Sequence, residues 1–190
     1  KRKLATGNEN LTWFDSIKTA YADLIPFKKV LIVGCGNGWV ERKLFDKGIG
    51  IEFDAFDISE KYLLEAKEKK GNRTINYFVE DVNSMNSIEE NKYDAVFNYA
   101  ILHHVYEIDF AIKKLSKVLK PNGLMFNEEY IGPAQIQFSD SHLHLIENVM
   151  NSLPEKYRTK YPLRPDIENF RVDPTESVHS DLIKHTFSKY

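Results

Sequence analysis

The sequence has little that would suit an extracellular, membrane or nucleic-acid-binding protein. Its 190 residues include a single cysteine, so no disulfide can form within the chain. No apolar run approaches the roughly 20 residues of a membrane-spanning helix, and no secretory signal pattern opens the chain. The formal net charge of −2 at pH 7 gives no overall attraction to nucleic acid or anionic membranes. We therefore expect a soluble, cytoplasmic protein without nucleic-acid or membrane partners.

Short apolar runs alternate with helical patterns through the first two thirds of the chain. With 42% hydrophobic residues, a chain of this length can form one globular domain. The alternation predicts an α/β fold with a mainly parallel, doubly wound sheet. The predicted strands are Lys29 to Val33, Glu52 to Phe56, Thr74 to Val79, Tyr93 to Asn98 and Gly123 to Glu128.

Helical patterns precede and follow this region. Thr12 and Asp15 form a capping-box pattern at the start of the first one, and the last two are predicted over Ser139 to Leu153 and Thr175 to Phe187. We expect one domain in three parts. These are a helical lid at 1–28, a cofactor-binding core at 29–133, and a helical, irregular substrate-side segment at 134–190.

The stretch VGCGNGWVE follows the first predicted strand and opens a helix. Glycines let the backbone approach a ligand, and the amides of a helix N-terminus favour negative groups, so this is the usual position of a nucleotide-like ligand. The dinucleotide fingerprint GxGxxG would need glycine or alanine where Trp39 stands, and the GxxxxGK[ST] phosphate loop is absent. NAD and P-loop hydrolysis of ATP or GTP are therefore disfavoured, and the pattern GxGxG remains.

This loop resembles motif I of the class I S-adenosylmethionine-dependent methyltransferases, and further stretches follow in the family's order. These are FDAFDIS, YFVEDVNSM, YDAVFNYAILHHV and LKPNGLMFNEEY. The resemblance implies a Rossmann-like sheet of order 3-2-1-4-5, with S-adenosylmethionine as cofactor, S-adenosylhomocysteine as product and no metal. Asp57 would bind the ribose hydroxyls, Asp81 would face the adenine amino group, and Val82 or Met85 would flank the ring. The cofactor-binding residues that it implies are Gly34, Cys35, Gly36, Gly38, Asp57, Ile58, Asp81, Val82 and Asn98.

Two features depart from the family pattern. Ile32 stands where the family commonly has an acid that helps to anchor the cofactor's ammonium group, so backbone carbonyls near Gly34 and Asn98 are the expected substitutes. Nothing after Gly132 resembles the antiparallel hairpin that usually completes the sheet. Either the chain is truncated, which we expect, or the fifth strand is an exposed edge. Because Lys1 is not a start methionine, we also expect the chain to be trimmed or incomplete at its front.

The turn after the fourth strand carries two adjacent histidines, His103 and His104. A histidine can accept a proton from a hydroxyl at neutral pH, so either one is a candidate base, although both could simply orient loops. Glu129 and Tyr130 follow the fifth strand at the same edge and are the next candidates for the base or for acceptor contacts. Three arginines in the irregular segment, Arg158, Arg164 and Arg171, could bind an anionic acceptor but are more typical of a solvated surface. His142 and His144 do not share a helix face, so metal binding there is not expected.

These observations predict an O-methyltransferase acting on a small molecule. The stretches EEYIGPAQIQFSDSHL and DPTESVHS resemble methyltransferases of sugar and surface-polysaccharide pathways, which implies a sugar, phosphate-containing or capsular polysaccharide precursor as acceptor. The alternatives are a small-molecule N-methyltransferase and a non-catalytic module that binds S-adenosylmethionine or a partner. The [DN]PPY motif of nucleic-acid amino methyltransferases is absent, since Tyr99 and Ala100 follow Asn98.

Overall fold

A computed structural model describes residues 7–158 and 167–190 and divides the chain into two compact units. The first extends to Tyr99 and resumes over Phe110–Glu128, and the second comprises Ala100–Asp109 and Glu129–Tyr190. The three-part division of a single domain stays a prediction. No helix among the described residues is long and apolar enough to cross a bilayer.

The first unit contains a five-stranded parallel sheet of order β3-β2-β1-β4-β5, as predicted. In the central register, Ile32 pairs with Ala55 on one side and with Phe97 on the other. The strand order reverses between β1 and β4, which is the position where open α/β sheets bind ligands. In the described ranges no strand follows β5. The strands are β1 Phe27–Val33, β2 Gly50–Asp57, β3 Ile75–Val79, β4 Tyr93–Tyr99 and β5 Leu119–Glu128.

The helices begin largely where the sequence predicts. The capping box of Thr12 and Asp15 is present, and the hydroxyls of Ser59 and Ser139 cap the helices that begin at Glu60 and Asp140. The described helices are α1 Trp13–Ala20, α2 Trp39–Asp46, α3 Glu60–Lys69, α4 Ile108–Val118, α5 Asp140–Ser152, α6 Ile167–Val172 and α7 Ile183–Phe187.

The prediction of a helix over Thr175 to Phe187 is wrong for most of its length, because only Ile183–Phe187 is helical. The preceding residues form turns. Ser177 has a φ of +55°, outside the α-helical region, and the Val178 amide donates to the carbonyl oxygen of His103, so a helix does not run through these residues.

The amino-terminal helix packs on the core of the first unit. Phe14 and Ile17 are buried in α1, and the Trp13 ring lies 5.9 Å from Phe97 and 5.6 Å from Tyr99. This aromatic stripe is therefore part of the core, which is the commoner role of such a pattern. The lid role of residues 1–28 stays a prediction, and residues 1–6 lie outside the described part of the chain.

Candidate active site

The glycine loop joins β1 to α2 in a backbone conformation that suits glycine. Gly34, Gly36 and Gly38 all have positive φ, at +59°, +52° and +79°. At Gly38 a side chain is also excluded by space, because a Cβ atom there would lie 2.5 Å from Oη of Tyr77 and 2.8 Å from Oε1 of Glu41. At its three glycine positions the backbone of the loop is therefore not covered by a side chain, beside the N-terminus of α2.

Asp57, at the end of β2, holds this loop in place. Its Oδ2 accepts a hydrogen bond from the Gly36 amide at 2.8 Å, and its Oδ1 accepts one from the Ser59 amide at 2.9 Å. An ionised carboxylate offers about four lone-pair positions, so two remain for further donors. Asp57 thus has a structural role, and its predicted binding of the ribose hydroxyls stays a prediction.

The stretch after β3 forms a turn around Asp81, whose Oδ1 accepts hydrogen bonds from the amide and the side chain of Asn83. Val82 is half-buried, whereas Met85 has no exposed surface, so Val82 is the better candidate to flank an adenine ring. Ile58 is 68% exposed and Val79 is 53% exposed, at the ends of β2 and β3. Apolar side chains that face solvent at strand ends are suited to cover a ring.

The other predicted cofactor residues are more deeply buried. The side chain of Ile32, which stands where the family commonly has an acid, lies in the core and offers no carboxylate to the cofactor's ammonium group. Asn98 is fully buried and donates from Nδ2 to Oδ1 of Asn127 at 2.7 Å, while its own Oδ1 has no hydrogen-bond partner among the described residues. Burial raises the pKa of the Cys35 thiol, which keeps the thiol protonated within the core. The cofactor contacts of Cys35 and Asn98 stay predictions.

Glu41, on the first turn of α2, was not predicted to matter. It has no exposed surface, and neither its carboxylate oxygens nor the Tyr77 hydroxyl has a hydrogen-bond partner among the described residues. Burial, with a smaller contribution from the charge of Asp57, raises the pKa of Glu41 to about 7. The Glu41 backbone amide, the neighbouring Tyr77 hydroxyl and the charge of Arg42 lower this pKa less than burial raises it, so an incompletely compensated buried carboxylate lies directly beside the glycine loop.

In the second unit, Glu129 organises the turn that follows β4. Its Oε1 accepts hydrogen bonds from the amides of Ile101 and Leu102 at 2.7 and 2.8 Å, and its Oε2 lies 2.8 Å from Nδ1 of His103. The side chains of His103 and Glu129 are 10% and 3% exposed. Burial alone would lower the pKa of His103, but the hydrogen bond and charge of Glu129, with the charges of Glu176 and Asp173, raise it above its ordinary value.

His104 belongs to the same cluster. Its ring centroid lies 4.2 Å from that of His103, and its Nδ1 lies 3.0 Å from Oγ1 of Thr175. Its Nε2 lies 3.9 Å from Oε2 of Glu176. Thr175 and Glu176 were not predicted as site residues, although the Asp-Pro-Thr pattern at 173–175 is a turn signal.

Backbone hydrogen bonds hold the Glu176 segment against the histidines. The Val178 amide donates to the carbonyl oxygen of His103 at 3.0 Å, and the Gln135 amide donates to that of Ser177 at 2.7 Å. Tyr130 lies in the same unit, where burial and then the charge of Glu176 raise the pKa of its hydroxyl. Three of the four predicted catalytic residues, His103, His104 and Glu129, are thus brought into one cluster.

Comparison with known proteins gives the family. Residues 31–127, about half of the chain, match the protein family described as a methyltransferase domain. The chain belongs to this family. It is a class I S-adenosylmethionine-dependent methyltransferase domain, with S-adenosylmethionine as the cofactor of its class.

Two curated relatives are O-methyltransferases by name. The methyltransferase domain is 36% identical over 100 residues to a ubiquinone biosynthesis O-methyltransferase of Pelagibacter ubique, covering 52% of this chain and 40% of that protein. It is 30% identical over 97 residues to malonyl-[acyl-carrier protein] O-methyltransferase 2 of Ilyobacter polytropus, covering 50% and 37%. The alignments thus span about two fifths of each relative.

A solved structure supports the fold. The S-adenosylmethionine-dependent methyltransferase from Mesorhizobium loti superposes with a TM-score of 0.54 at 22% identity, over 62% of this chain and 55% of that one. At this identity the likeness concerns the fold of the methyltransferase domain alone.

The predicted arginine contacts are only partly described. Arg158 donates from its guanidinium to the carbonyl oxygens of Leu153 and Asn151 at the end of α5, which is a helix-capping role. Arg164 lies outside the described residues. His144 is exposed, and its Nδ1 lies 3.8 Å from Oε2 of Glu147. Among the described residues, neither His142 nor His144 belongs to a group of three possible metal ligands.

Proposed function

We propose that this domain transfers the methyl group of S-adenosylmethionine to an oxygen atom of a small molecule. The names of the two relatives support oxygen as the acceptor atom. The resemblance of residues 128–143 to enzymes of surface-polysaccharide pathways supports a sugar, a phosphate-containing compound or a capsular polysaccharide precursor as the acceptor.

Methyl transfer from a sulfonium is an in-line displacement in which the leaving group is already activated. The protein must align the acceptor and exclude water, and it needs a proton acceptor only when the hydroxyl is weakly acidic. The family's cofactor supplies the methyl group, while the residues of this chain would supply the alignment and the proton acceptor.

The observation that carries the proposal is the hydrogen bond between His103 and Glu129. An ionised carboxylate can only accept, so Nδ1 of His103 carries the hydrogen, and Nε2 of the neutral ring has a free lone pair. Two backbone amides fix Glu129, so the ring orientation is also fixed. Among the predicted bases His103 is therefore the first candidate, and His104 is the second.

Transfer of a radiolabelled methyl group tests the proposal. The purified chain is incubated with S-adenosyl-L-[methyl-³H]methionine and with separate panels of sugars and nucleotide sugars, phosphate esters, phenols, carboxylates and amines. We expect labelled product and S-adenosylhomocysteine with an oxygen acceptor. Labelling of amines alone would indicate an N-methyltransferase. Cofactor binding without transfer to any panel would indicate a non-catalytic module.

A further inference from the structure

We propose that His103, His104 and Glu176 form a binding site for a divalent transition-metal cation such as Zn²⁺. Each offers one ligand atom, and these atoms lie within 4.8 Å of one another in the second unit. Two imidazoles and one carboxylate suit Zn²⁺ and its neighbours better than Mg²⁺ or Ca²⁺, which prefer oxygen ligands alone.

The hydrogen-bond network determines where His104 carries its proton. The hydroxyl of Thr175 donates to Oδ1 of Asp173 at 2.6 Å, so its oxygen is available to His104 as an acceptor. Nδ1 of His104 is then the donor, and Nε2 of the neutral ring has a lone pair. This lone pair lies 3.9 Å from an oxygen of Glu176, so two electron-rich atoms share a small space that a cation would stabilise.

His103 has the same arrangement. Glu129 accepts the hydrogen of Nδ1, so Nε2 of the neutral ring carries the lone pair that a metal could use. Histidines that bind metals almost always donate their other ring N–H to a carboxylate, carbonyl or water, because this fixes the tautomer and the ring orientation. Glu129 provides that acceptor for His103, and Thr175 provides it for His104.

The charge of the cluster also favours a cation. Glu129, Glu176 and Asp173 bring three carboxylates to two imidazoles, since Oδ2 of Asp173 lies 3.8 Å from Nδ1 of His104. With neutral rings the cluster is strongly negative. Protons on the rings or a bound cation would offset this negative charge.

The ligand atoms must move closer together to bind the ion. Ligands at about 2.1 Å from a tetrahedral Zn²⁺ stand about 3.4 Å apart, so the 3.9 Å between His104 and Glu176 must shorten by about half an ångström, and a pair at the 4.8 Å limit of the cluster would have to shorten by about 1.4 Å. Oε1 of Glu176 accepts from the Ser177 hydroxyl, which leaves Oε2 to bind. The side chains of His104 and Glu176 are 28% and 35% exposed, so an ion has access.

Cobalt titration tests the site independently of any enzymatic activity. The full chain is stripped with a chelator, dialysed and titrated with Co²⁺ at pH 7.5, and Zn²⁺ binding is measured by calorimetry. We expect one ion per chain with the intense visible absorption of four- or five-coordinate Co²⁺. His104→Ala and Glu176→Gln should weaken binding by on the order of 100-fold or more, while the surface variant His144→Ala should not.

Thr175 provides a variant that spares the ligands. Thr175→Val removes the oxygen that accepts from Nδ1 of His104 and should weaken binding by about 10- to 100-fold, whereas Thr175→Ser should restore it. Far-ultraviolet circular dichroism confirms that each variant is folded. Absence of the cobalt absorption in the unmodified chain would reject the proposal. Affinity in His104→Ala and Glu176→Gln equal to that of the unmodified chain would also reject it, because the ion would then bind elsewhere.

The metal site and the methyl transfer can fail separately. A bound cation occupies the Nε2 lone pairs that a histidine base would use, so Zn²⁺ should inhibit any transfer that depends on such a base. Methyl transfer is therefore assayed in the chelator-stripped chain. Metal binding together with no transfer in the stripped chain supports the site and counts against the proposed function, whereas transfer in the stripped chain together with no metal binding supports the function and rejects the site.

Discussion

The amide nitrogen of Gly36 donates a hydrogen bond to Oδ2 of Asp57 at 2.8 Å, so the last residue of β2 fixes the loop that follows β1. The same carboxylate accepts from Ser59 at the start of α3 and still has free lone pairs. The conformation of the glycine loop and the binding of the cofactor are therefore both expected to depend on the Asp57 side chain.

Replacement of this carboxylate should weaken cofactor binding. Asp57→Ala removes charge-assisted hydrogen bonds of roughly 1.5–3 kcal/mol, so the affinity for S-adenosylhomocysteine should fall by about 10- to 100-fold in calorimetry. Asp46→Ala is the matched control, because Asp46 is paired with Arg73 on the surface of the same unit. Unchanged affinity in Asp57→Ala would reject the ribose-binding assignment.

Substitution of Gly38 should be costlier than substitution of a glycine with free space. Both Gly38 and Gly48 have positive φ, but only at Gly38 would a Cβ atom lie within 3 Å of other side chains. Gly48→Ala should lose about 1 kcal/mol of unfolding free energy, and Gly38→Ala about 2–4 kcal/mol, because overpacking adds to the backbone cost. Urea denaturation measures both, and equal losses would contradict the packing argument.

The sheet and the glycine loop could be predicted because their signals are local. Apolar runs, glycines and caps recur along the chain, and a parallel sheet follows from their alternation. Asp57 was identifiable because the stretch FDAFDIS resembles the family's second-strand segment, in which an acid stands at that position. The helix predicted from Thr175 failed because Ser177 has a positive φ and the Val178 amide pairs with His103, and helical periodicity carries no sign of that long-range contact.

The contacts that the sequence did not reveal are long-range or buried. Glu176 reaches His104 from a segment 72 residues later, and no spacing rule relates the two positions. Glu41 occupies a helical position at which a charged residue is expected to be exposed, yet it is completely buried beside Gly38. Only the packing of α2 in three dimensions shows this.

Glu41 should make the stability of the protein depend on pH. Its ordinary pKa of 4.5 in the unfolded chain rises to about 7 in the folded protein, so the unfolded state loses the proton first and folding loses stability as pH rises from about 4.5 to 7. The difference corresponds to about 3 kcal/mol at pH 8, since one pH unit is worth about 1.4 kcal/mol.

The neutral variant Glu41→Gln should remove this dependence. Urea denaturation measures how much the unfolding free energy of Glu41→Gln exceeds that of the unmodified protein. We expect this excess to be about 2–3 kcal/mol larger at pH 8 than at pH 4.5. Glu68→Gln on the exposed surface of α3 changes the same charge and should show no such difference. A pH-independent effect of Glu41→Gln would mean that Glu41 is ionised in the folded state.

Glu129 should determine whether His103 can accept a proton. In Glu129→Gln, the amide oxygen would continue to accept from Ile101 and Leu102, which turns the NH₂ group towards Nδ1 of His103. Two donors cannot face one another, so His103 must move its proton to Nε2 and lose the lone pair there. Once an acceptor is identified, turnover should fall by about 10²- to 10⁴-fold, while the affinity for S-adenosylhomocysteine stays unchanged.

Glu147→Gln on exposed α5 is the control for the charge change and should leave turnover unchanged. His103→Ala should lose as much turnover as Glu129→Gln, and the double variant little more, because both changes remove the same lone pair. If Glu129→Gln and His103→Ala both keep turnover within about threefold, His103 is not the base. In that case His104→Ala distinguishes the second candidate from an acceptor, such as a phosphate or carboxylate oxygen, that is acidic enough to react without a base.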